Sequence, residues 1–424
     1  VFEFLIERKY HPGLFLVERF NAVLLLLFEY IQKIFSWQIP AAFTYSSTRM
    51  LLAALTSLLF TLFLGPACIK KLYALKTGRS IRVEDCPMLA QLHEKKKDTP
   101  TMGGILILGA MLFSLVLWMD MSSVFTWILC FTTIWIGGIG AYDDFLKLKY
   151  KNSRGLAGKK KLAFQVLFAS LLAGYLVFPS IREFVGGLDK LPLPTAKEIV
   201  VAGGGDGGTV PLFSYSLQYY LPFMKEPVFV AKGIGVVFAF IFTVFVVTGS
   251  SNAVNLTDGL DGLASGCLIM ASVVLALVGF FSNNMELSRY LNILYIEGSG
   301  EIAVYLFSLC GACLGFLWFN GSPAQVFMGD TGSLALGGII GVSAVLLRRE
   351  FLLALVGGVF VMEALSVIIQ VLSYRLRNKK RVFLCAPLHH HFEYKGWPET
   401  KVVMRFWIVG FLLSIIGIAS LKLQ

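Results

Sequence analysis

The sequence predicts an all-α, polytopic membrane protein with about ten transmembrane helices and both termini outside. Three observations carry that reading. Of 424 residues, 56% are hydrophobic and 15% are charged, against roughly 45–50% and about 25% in soluble domains, and the mean hydropathy is +0.73. The apolar residues fall into runs close to the ~20 residues that an α-helix needs to cross a bilayer. Lysine and arginine gather in alternate connections between those runs. A soluble enzyme is excluded, because a water-soluble fold of this size cannot hide so much apolar side chain. The 41 glycines and 14 prolines are too few and too scattered for a fibrous or disordered chain.

In chain order, residues 20–35 are apolar but interrupted by Glu29 and Lys33, which suits a helix lying in the membrane interface. Residues 1–45 therefore read as an N-terminal extension and 46–424 as one transmembrane domain. The start at Val1 shows no evident signal-peptide pattern. Ten spans are expected near 49–70, 100–119, 124–142, 162–178, 228–250, 263–282, 302–319, 331–347, 351–372 and 402–421. Residues 179–227 contain Gly203, Gly204, Gly205, Asp206, Gly207 and Gly208 with several prolines, and read as an irregular extracytoplasmic loop. No period of 20–50 residues recurs, so a repeat array is excluded.

Basic residues set the orientation. The connection after the first span holds Lys70, Lys71, Lys76, Arg79, Arg82, Lys95, Lys96 and Lys97; the one after the third holds Lys147, Lys149, Lys151, Arg154, Lys159, Lys160 and Lys161; the one after the ninth holds Arg375, Arg377, Lys379, Lys380, Arg381 and Lys395. These odd-numbered connections share one side, which the rule makes cytoplasmic. Arg348 and Arg349 are a local exception. The net charge of +11 suits cytoplasmic loops, anionic lipids and anionic substrates; it is not gathered into a nucleic-acid-binding module. The seven cysteines are dispersed, and Cys310 and Cys313, a CxxC inside a span, read as packing residues.

The unusual polar clusters all fall on the basic side. Asp143 and Asp144 close the third span; Asn255, Asp258 and Asp261 end the fifth in NAVNLTDGLDGLASG; Asp330 opens the eighth in PAQVFMGDTGSLALGG; His389, His390 and His391 lie in APLHHHFE. Were these ordinary loop residues, about half would fall on the other face. Each has a plainer reading beside the functional one. Adjacent carboxylates at a span end can be solvated. Asp258 and Asp261, sharing a face if helical (i, i+3), can instead form an Asx-rich turn. Asp330 can cap a helix N-terminus. Glu363, inside a span, is either functional or a helix-packing hydrogen bond. Three consecutive histidines suggest metal binding but cannot all face one ion in a regular helix or strand; a phosphate contact or a turn-borne ligand is an equal alternative to a zinc site, and no HExxH or paired CxxC supports zinc.

Separated aspartates with lysine-rich flanks at a membrane face suit one chemistry. Oxygen ligands favour Mg²⁺, which joins one or two carboxylates to substrate phosphates, and lysines meet the remaining phosphate charge. Phosphoryl transfer depends mainly on such positioning and neutralisation. The residues thus point to a metal-dependent enzyme moving a phosphate-linked group from a cytosolic donor to a lipid acceptor.

The motifs KKKDTPTMGG, GAYDDFLKLK, GSSNAVNLTDGLDGLA, GFLWFNGSPAQVFMGDTGSLALGG and APLHHHFEYKGWPE resemble, in the same order from about Ser47 to the C-terminus, the phospho-N-acetylmuramoyl-pentapeptide-transferase (MraY) family of polyprenyl-phosphate sugar-1-phosphate transferases. Residues 1–45 and 179–227 lie outside the resemblance. It implies ten transmembrane helices, a homodimer, a cytoplasmic active site at the bacterial plasma membrane, and transfer of phospho-MurNAc-pentapeptide from UDP-MurNAc-pentapeptide to undecaprenyl phosphate, giving lipid I and UMP. By motif position it implies Asp330 as principal Mg²⁺ ligand with Asp144 beside the metal, and Asp143 as base or acceptor-phosphate contact. Lys96, Thr101, Asn255, Asp258, Asp261 and Phe327 would line the nucleoside pocket, Phe327 stacking on uracil. Gln370, Ala386, His389, His390 and His391 would lie toward the sugar-phosphate and peptide, His389 with a catalytic part and Lys159 among the substrate contacts. Asp98 stands where the family usually has glycine. The rivals are a GlcNAc-1-phosphate transferase to the same lipid and, more distantly, an anionic-solute transporter. A CDP-alcohol phosphotransferase is discounted because Leu263-Ala264-Ser265 replaces its Ala-Arg pair.

Overall fold

In the computed structural model, which describes residues 34, 41–75, 96, 99–150, 155–178, 181 and 217–423, each expected span is helical over most of its length. The helices are α1 Ser46–Ala74, α2 Gly104–Trp118, α3 Val124–Tyr150, α4 Gly158–Val177, α5 Gly235–Thr257, α6 Leu263–Ser282, α7 Met285–Tyr290, α8 Gly300–Asn320, α9 Gly329–Leu346, α10 Glu350–Val356, α11 Gly358–Leu376, α12 Leu388–Tyr394 and α13 Glu399–Lys422. Nine are long and apolar enough to cross a membrane. The tenth apolar helix, α2, has 15 residues and is about 22 Å long at 1.5 Å per residue.

Several boundaries differ from the sequence expectation: α3 runs on to Tyr150, so Asp143 and Asp144 lie inside the helix rather than closing it, and three other differences have a local reason. The second span starts at Gly104, because Pro100–Gly103 is drawn into backbone bonds with the segment before α9: Gly103 N–H donates to the Phe327 carbonyl at 2.8 Å and Phe327 N–H to that of Pro100 at 2.8 Å. The fifth begins at Gly235; upstream, Phe229–Val230 forms a strand, β2, paired antiparallel with β1, Gln218–Tyr219. A short apolar run such as Val228-Phe229-Val230 reads alike as strand or helix, and Gly233, with φ +57°, separates it from the span. This ladder also corrects part of the irregular loop expected at 179–227. The ninth span divides at Gly357 into α10 and α11. The interfacial helix expected at 20–35, and Asp98, lie outside the described residues.

Helix α9 is the centre of the bundle. Every residue from Thr331 to Leu346 is buried. Its sequence is mostly glycine, serine, alanine and aliphatic residues, and small residues let helices approach closely where lipid gives no hydrophobic drive. Polar side chains tie the neighbours to it: Gln165 of α4 donates to Ser251 of α5 at 2.9 Å, and Ser251 donates to the Leu334 carbonyl of α9 at 2.8 Å. At the start of α2, a β-carbon on Gly104 would collide with the backbone nitrogen and Cα of Gly332. Backbone cannot swing aside as a side-chain tip can. Gly104→Ala is therefore expected to cost about 1–3 kcal/mol, the range for overpacking, read as a lower thermal midpoint of the detergent-solubilised protein; an unchanged midpoint would show that the contact is loose.

At the end of the bundle remote from the aspartate motifs, buried charges are paired. Arg49 of α1 reaches Glu301 of α8 at 2.7 Å and donates to the Trp118 carbonyl at 3.0 Å, while Glu301 accepts the Asp120 N–H at 2.9 Å. The exceptional Arg348 and Arg349 are buried too. Arg348 pairs with Glu350 at 2.8 Å. The guanidiniums of Arg348 and Arg349 lie 5.3 and 5.0 Å from the rings of Tyr219 and Tyr220, so the hairpin covers both cations. They are structural charges, which explains their departure from the loop pattern.

Candidate active site

The opposite end gathers the motifs. Helix α3 can reach the start of α9 because residue 140 is glycine; a β-carbon there would run into the Asp330 carbonyl. That approach brings Asp143 and Asp144 beside Asp330, with one carboxylate oxygen from each within 4.8 Å of the others. Asp143 and Asp144 are buried and the Asp330 side chain is 17% exposed.

Two ammonium groups hold this charge. Lys147 Nζ lies 2.6 Å from Asp143, 3.4 Å from Asp144 and 3.2 Å from Asp330. Lys161 Nζ, from the first turn of α4, lies 2.8 Å from Asp330 and 3.4 Å from Asp143. Three carboxylates against two cations leave one net negative charge, the composition of a cation site with oxygen donors. Asp143 Oδ1 also accepts the Leu156 N–H at 2.6 Å.

Helix capping is distributed otherwise than expected. Asp330 sits inside the first turn of α9 and makes no capping hydrogen bond. The orphan donor at that terminus goes to Asp144, whose Oδ2 accepts the Thr331 N–H at 2.9 Å and the Thr331 hydroxyl at 2.7 Å. Asp330 is thereby left to face Lys147, Lys161 and Asn255, whose amide donates to Oδ1 at 3.1 Å. Gly329 supplies the turn with φ +74°; a β-carbon there would lie 2.8 Å from Asp144.

From Asn255 the site continues into the turn between α5 and α6. Asp258 and Asp261 share no helical face, since α5 ends at Thr257 and α6 starts at Leu263; glycines 259 and 262 break the helix, Gly262 at φ +77°. Asp261 faces Lys96 at 2.7 Å and accepts the Ala324 N–H at 3.1 Å. Glu399, at the start of α13, clasps the same lysine at 2.6 and 2.7 Å and accepts the Asp261 N–H at 2.8 Å. Asn320 closes the ring by accepting the Gly262 N–H at 3.0 Å and donating to the Val326 carbonyl at 2.8 Å. Thr101 and Phe327 are half-buried on either side of the backbone bonds that join Pro100–Gly103 to Phe327.

The three histidines take different polar partners, although the His389 and His390 rings stay in edge contact, their centroids 4.1 Å apart. His389 turns inward to Glu363, His390 Nδ1 meets Glu393 at 2.6 Å, and His391 Nδ1 accepts the Leu384 N–H at 3.1 Å. Partial burial and the Lys395 ammonium lower the His391 pKa below the ordinary imidazole value, consistent with an unprotonated acceptor nitrogen. Gln370 spends its amide on the adjoining loop, donating to the Phe383 carbonyl and accepting the Val382 and Phe383 N–H groups at 2.9–3.0 Å. Ala386 is half-buried just before α12. Lys159 is exposed; of the same lysine run, Lys161 is the one that faces the carboxylates. Glu399, Asn320, Lys147 and Lys161 were missed as site residues. Lys147 carried a usable signal, one helical turn beyond Asp143 (i, i+4).

Comparison with known proteins follows the same residues. The model of glycosyl transferase family 4 matches residues 126–348, and phospho-N-acetylmuramoyl-pentapeptide-transferase signature 1 matches residues 96–108, the stretch holding Lys96 and Thr101. The chain is 59% identical over 410 residues to the phospho-N-acetylmuramoyl-pentapeptide-transferase of Protochlamydia amoebophila, covering 95% of this chain and 100% of that one. The chain belongs to the phospho-N-acetylmuramoyl-pentapeptide-transferase family. Members from Desulfotalea psychrophila (46% identity; 90% of this chain, 95% of theirs) and Francisella tularensis subsp. tularensis (41%; 95% and 100%) match along most of their length as well. Coverage of 95% extends upstream of Ser47, so the likeness to the family reaches farther than the motifs alone suggested. Membership makes the chain a multi-pass membrane phosphotransferase, with an acidic cluster suited to a metal ion.

Proposed function

We propose that the chain transfers phospho-MurNAc-pentapeptide from UDP-MurNAc-pentapeptide to undecaprenyl phosphate, yielding lipid I and UMP, at the cytoplasmic face of the bacterial plasma membrane. The observation that carries this reading is the convergence of Asp143, Asp144 and Asp330 with Lys147 and Lys161 at the basic end of a helical bundle, in a chain so similar to members of the family. The oxygen donors within 4.8 Å of one another fit Mg²⁺, with Asp330 and Asp144 as its holders; when bound, the ion supplies charge neutralisation to the donor's pyrophosphate.

In this reading the protein's own residues divide the labour. Lys147 and Lys161 exchange carboxylate oxygens for phosphate oxygens as substrate arrives. Lys96, poised between Asp261 and Glu399, and the 255–261 turn receive the nucleoside with Thr101 and Phe327. The histidine segment receives the sugar-phosphate and peptide. Asp143, fixed by the Leu156 N–H and two ammoniums, orients the acceptor phosphate. Two copies pairing in the bilayer complete the proposal.

Purified full-length protein should release UMP and form a lipid-linked muramyl peptide only when Mg²⁺ and undecaprenyl phosphate are both present. Equal turnover of UDP-GlcNAc would favour the rival sugar-1-phosphate reaction, and transport without UMP release would favour a carrier.

A further inference from the structure

Glu363 has no part in the chemistry assigned above. It is fully buried within α11, a helix apolar enough to span a membrane, where a carboxylate is costly and calls for a partner. The partner is one histidine, met twice. Glu363 Oε1 accepts the backbone N–H of His389 at 3.1 Å, and Oε2 lies 3.2 Å from Nδ1 of the same ring. Among the described residues neither Oε2 nor Nδ1 forms a hydrogen bond, with each other included, so the 3.2 Å approach is an electrostatic contact of a carboxylate oxygen with the Nδ1 edge. The other edge of the ring carries Nε2, which is buried and also lacks a hydrogen-bond partner there. It lies against Gly259, so closely that a β-carbon at 259 would run into it. Gly259 stands between Asp258 and Asp261, in the turn that meets Lys96.

An ionised carboxylate only accepts hydrogen bonds, whereas a neutral imidazole donates from one nitrogen and accepts at the other. A carboxylate facing Nδ1 therefore keeps the proton on Nδ1 and leaves Nε2 as the acceptor edge that packs on Gly259. We propose that Glu363 is a positioning residue for the transfer reaction, holding His389 in the Nδ1–H form with Nε2 set against the Asp258–Asp261 turn that receives the donor. This rests on the reading of the cleft as a transferase site. It also gives a reason for glycine at 259, since any side chain would push the ring off the turn.

Glu363→Gln separates this role from simple helix packing. Glutamine has the same shape but one acceptor oxygen for two N–H groups; its amide nitrogen, turned to Nδ1, would favour the opposite tautomer. The full-length chain, labelled with ¹⁵N-histidine, contains five histidines, and His389 can be assigned by difference against His389→Asn. The wild type should show the Nδ1–H pattern, and Glu363→Gln the Nε2–H pattern with kcat reduced on the order of ten- to a hundredfold and donor KM little changed. Glu363→Asp, which keeps both acceptor oxygens, should restore the Nδ1–H pattern and most of kcat. An Nε2–H pattern in the wild type overturns the proposal even if no variant folds. So does a folded Glu363→Gln protein with wild-type kcat or an unshifted His389. A wild-type chain that releases no UMP fails the functional reading instead, while the nitrogen shifts still judge the Glu363–His389 link without turnover.

Discussion

Asp330→Asn is expected to reduce UMP release by roughly 10²–10³-fold or more, the scale seen when a group aimed at reacting charge is removed. Asp330 is the residue on which the cluster closes. It faces Lys147 at 3.2 Å and Lys161 at 2.8 Å and takes the Asn255 amide at 3.1 Å, while Asp144 is already committed to Thr331. It is also the most open of the three carboxylates, at 17% exposed against 0% and 3%. Asparagine keeps the volume and one carbonyl oxygen but removes the charge. Two carboxylates then balance two ammoniums, so the fold should survive with an unchanged thermal midpoint. The loss should appear in kcat and in a raised Mg²⁺ requirement. Turnover within tenfold of wild type, at any Mg²⁺ concentration, would refute Asp330 as the principal metal holder.

The second large effect is expected at Asp143, where a pH profile separates two roles. A phosphate monoester has a second pKa of about 6, so the acceptor is mostly dianionic near neutrality without a base. Removing its last proton is worth on the order of one pKa unit, about 1.4 kcal/mol. If Asp143 served as base, Asp143→Asn would recover as pH rises through and above that pKa, reaching near wild-type rate by pH 9. The geometry favours positioning: Asp143 is fully buried, one oxygen accepts the Leu156 N–H at 2.6 Å and the other faces Lys147 at 2.6 Å and Lys161 at 3.4 Å. Both oxygens are thus taken up, one by a backbone N–H and the other by two ammonium groups, which suits a positioning role. The expected result is a loss of at least about tenfold that persists at pH 9; full recovery there would establish the base role.

Much of the architecture was legible because a bilayer leaves few options: backbone groups must be satisfied within each segment, and apolar runs of spanning length can only be helices. What failed was where glycine and short runs decide. Within Val228-Phe229-Val230, Phe229 and Val230 became a strand because Gly233 cuts the run from α5, and Gly357 divided the ninth span. In the site, the aspartates were visible because carboxylates at span ends are conspicuous. Their partners were not. Lys161 stands in a run of three lysines, and helical phase alone separates it from exposed Lys159. Glu399 sits 303 residues from Lys96, a pairing only the tertiary fold creates. Asp330 and Asp144 exchanged the capping role for the same reason, since a cap supplied by another helix leaves no trace in local spacing.

Lys147 reaches all three carboxylates at once. The acidic pocket thus carries a built-in counterion, placed on the same helix as two of its three acids. In the proposed reaction, that tethered ammonium sets the threshold which an incoming metal–nucleotide complex must exceed to displace it.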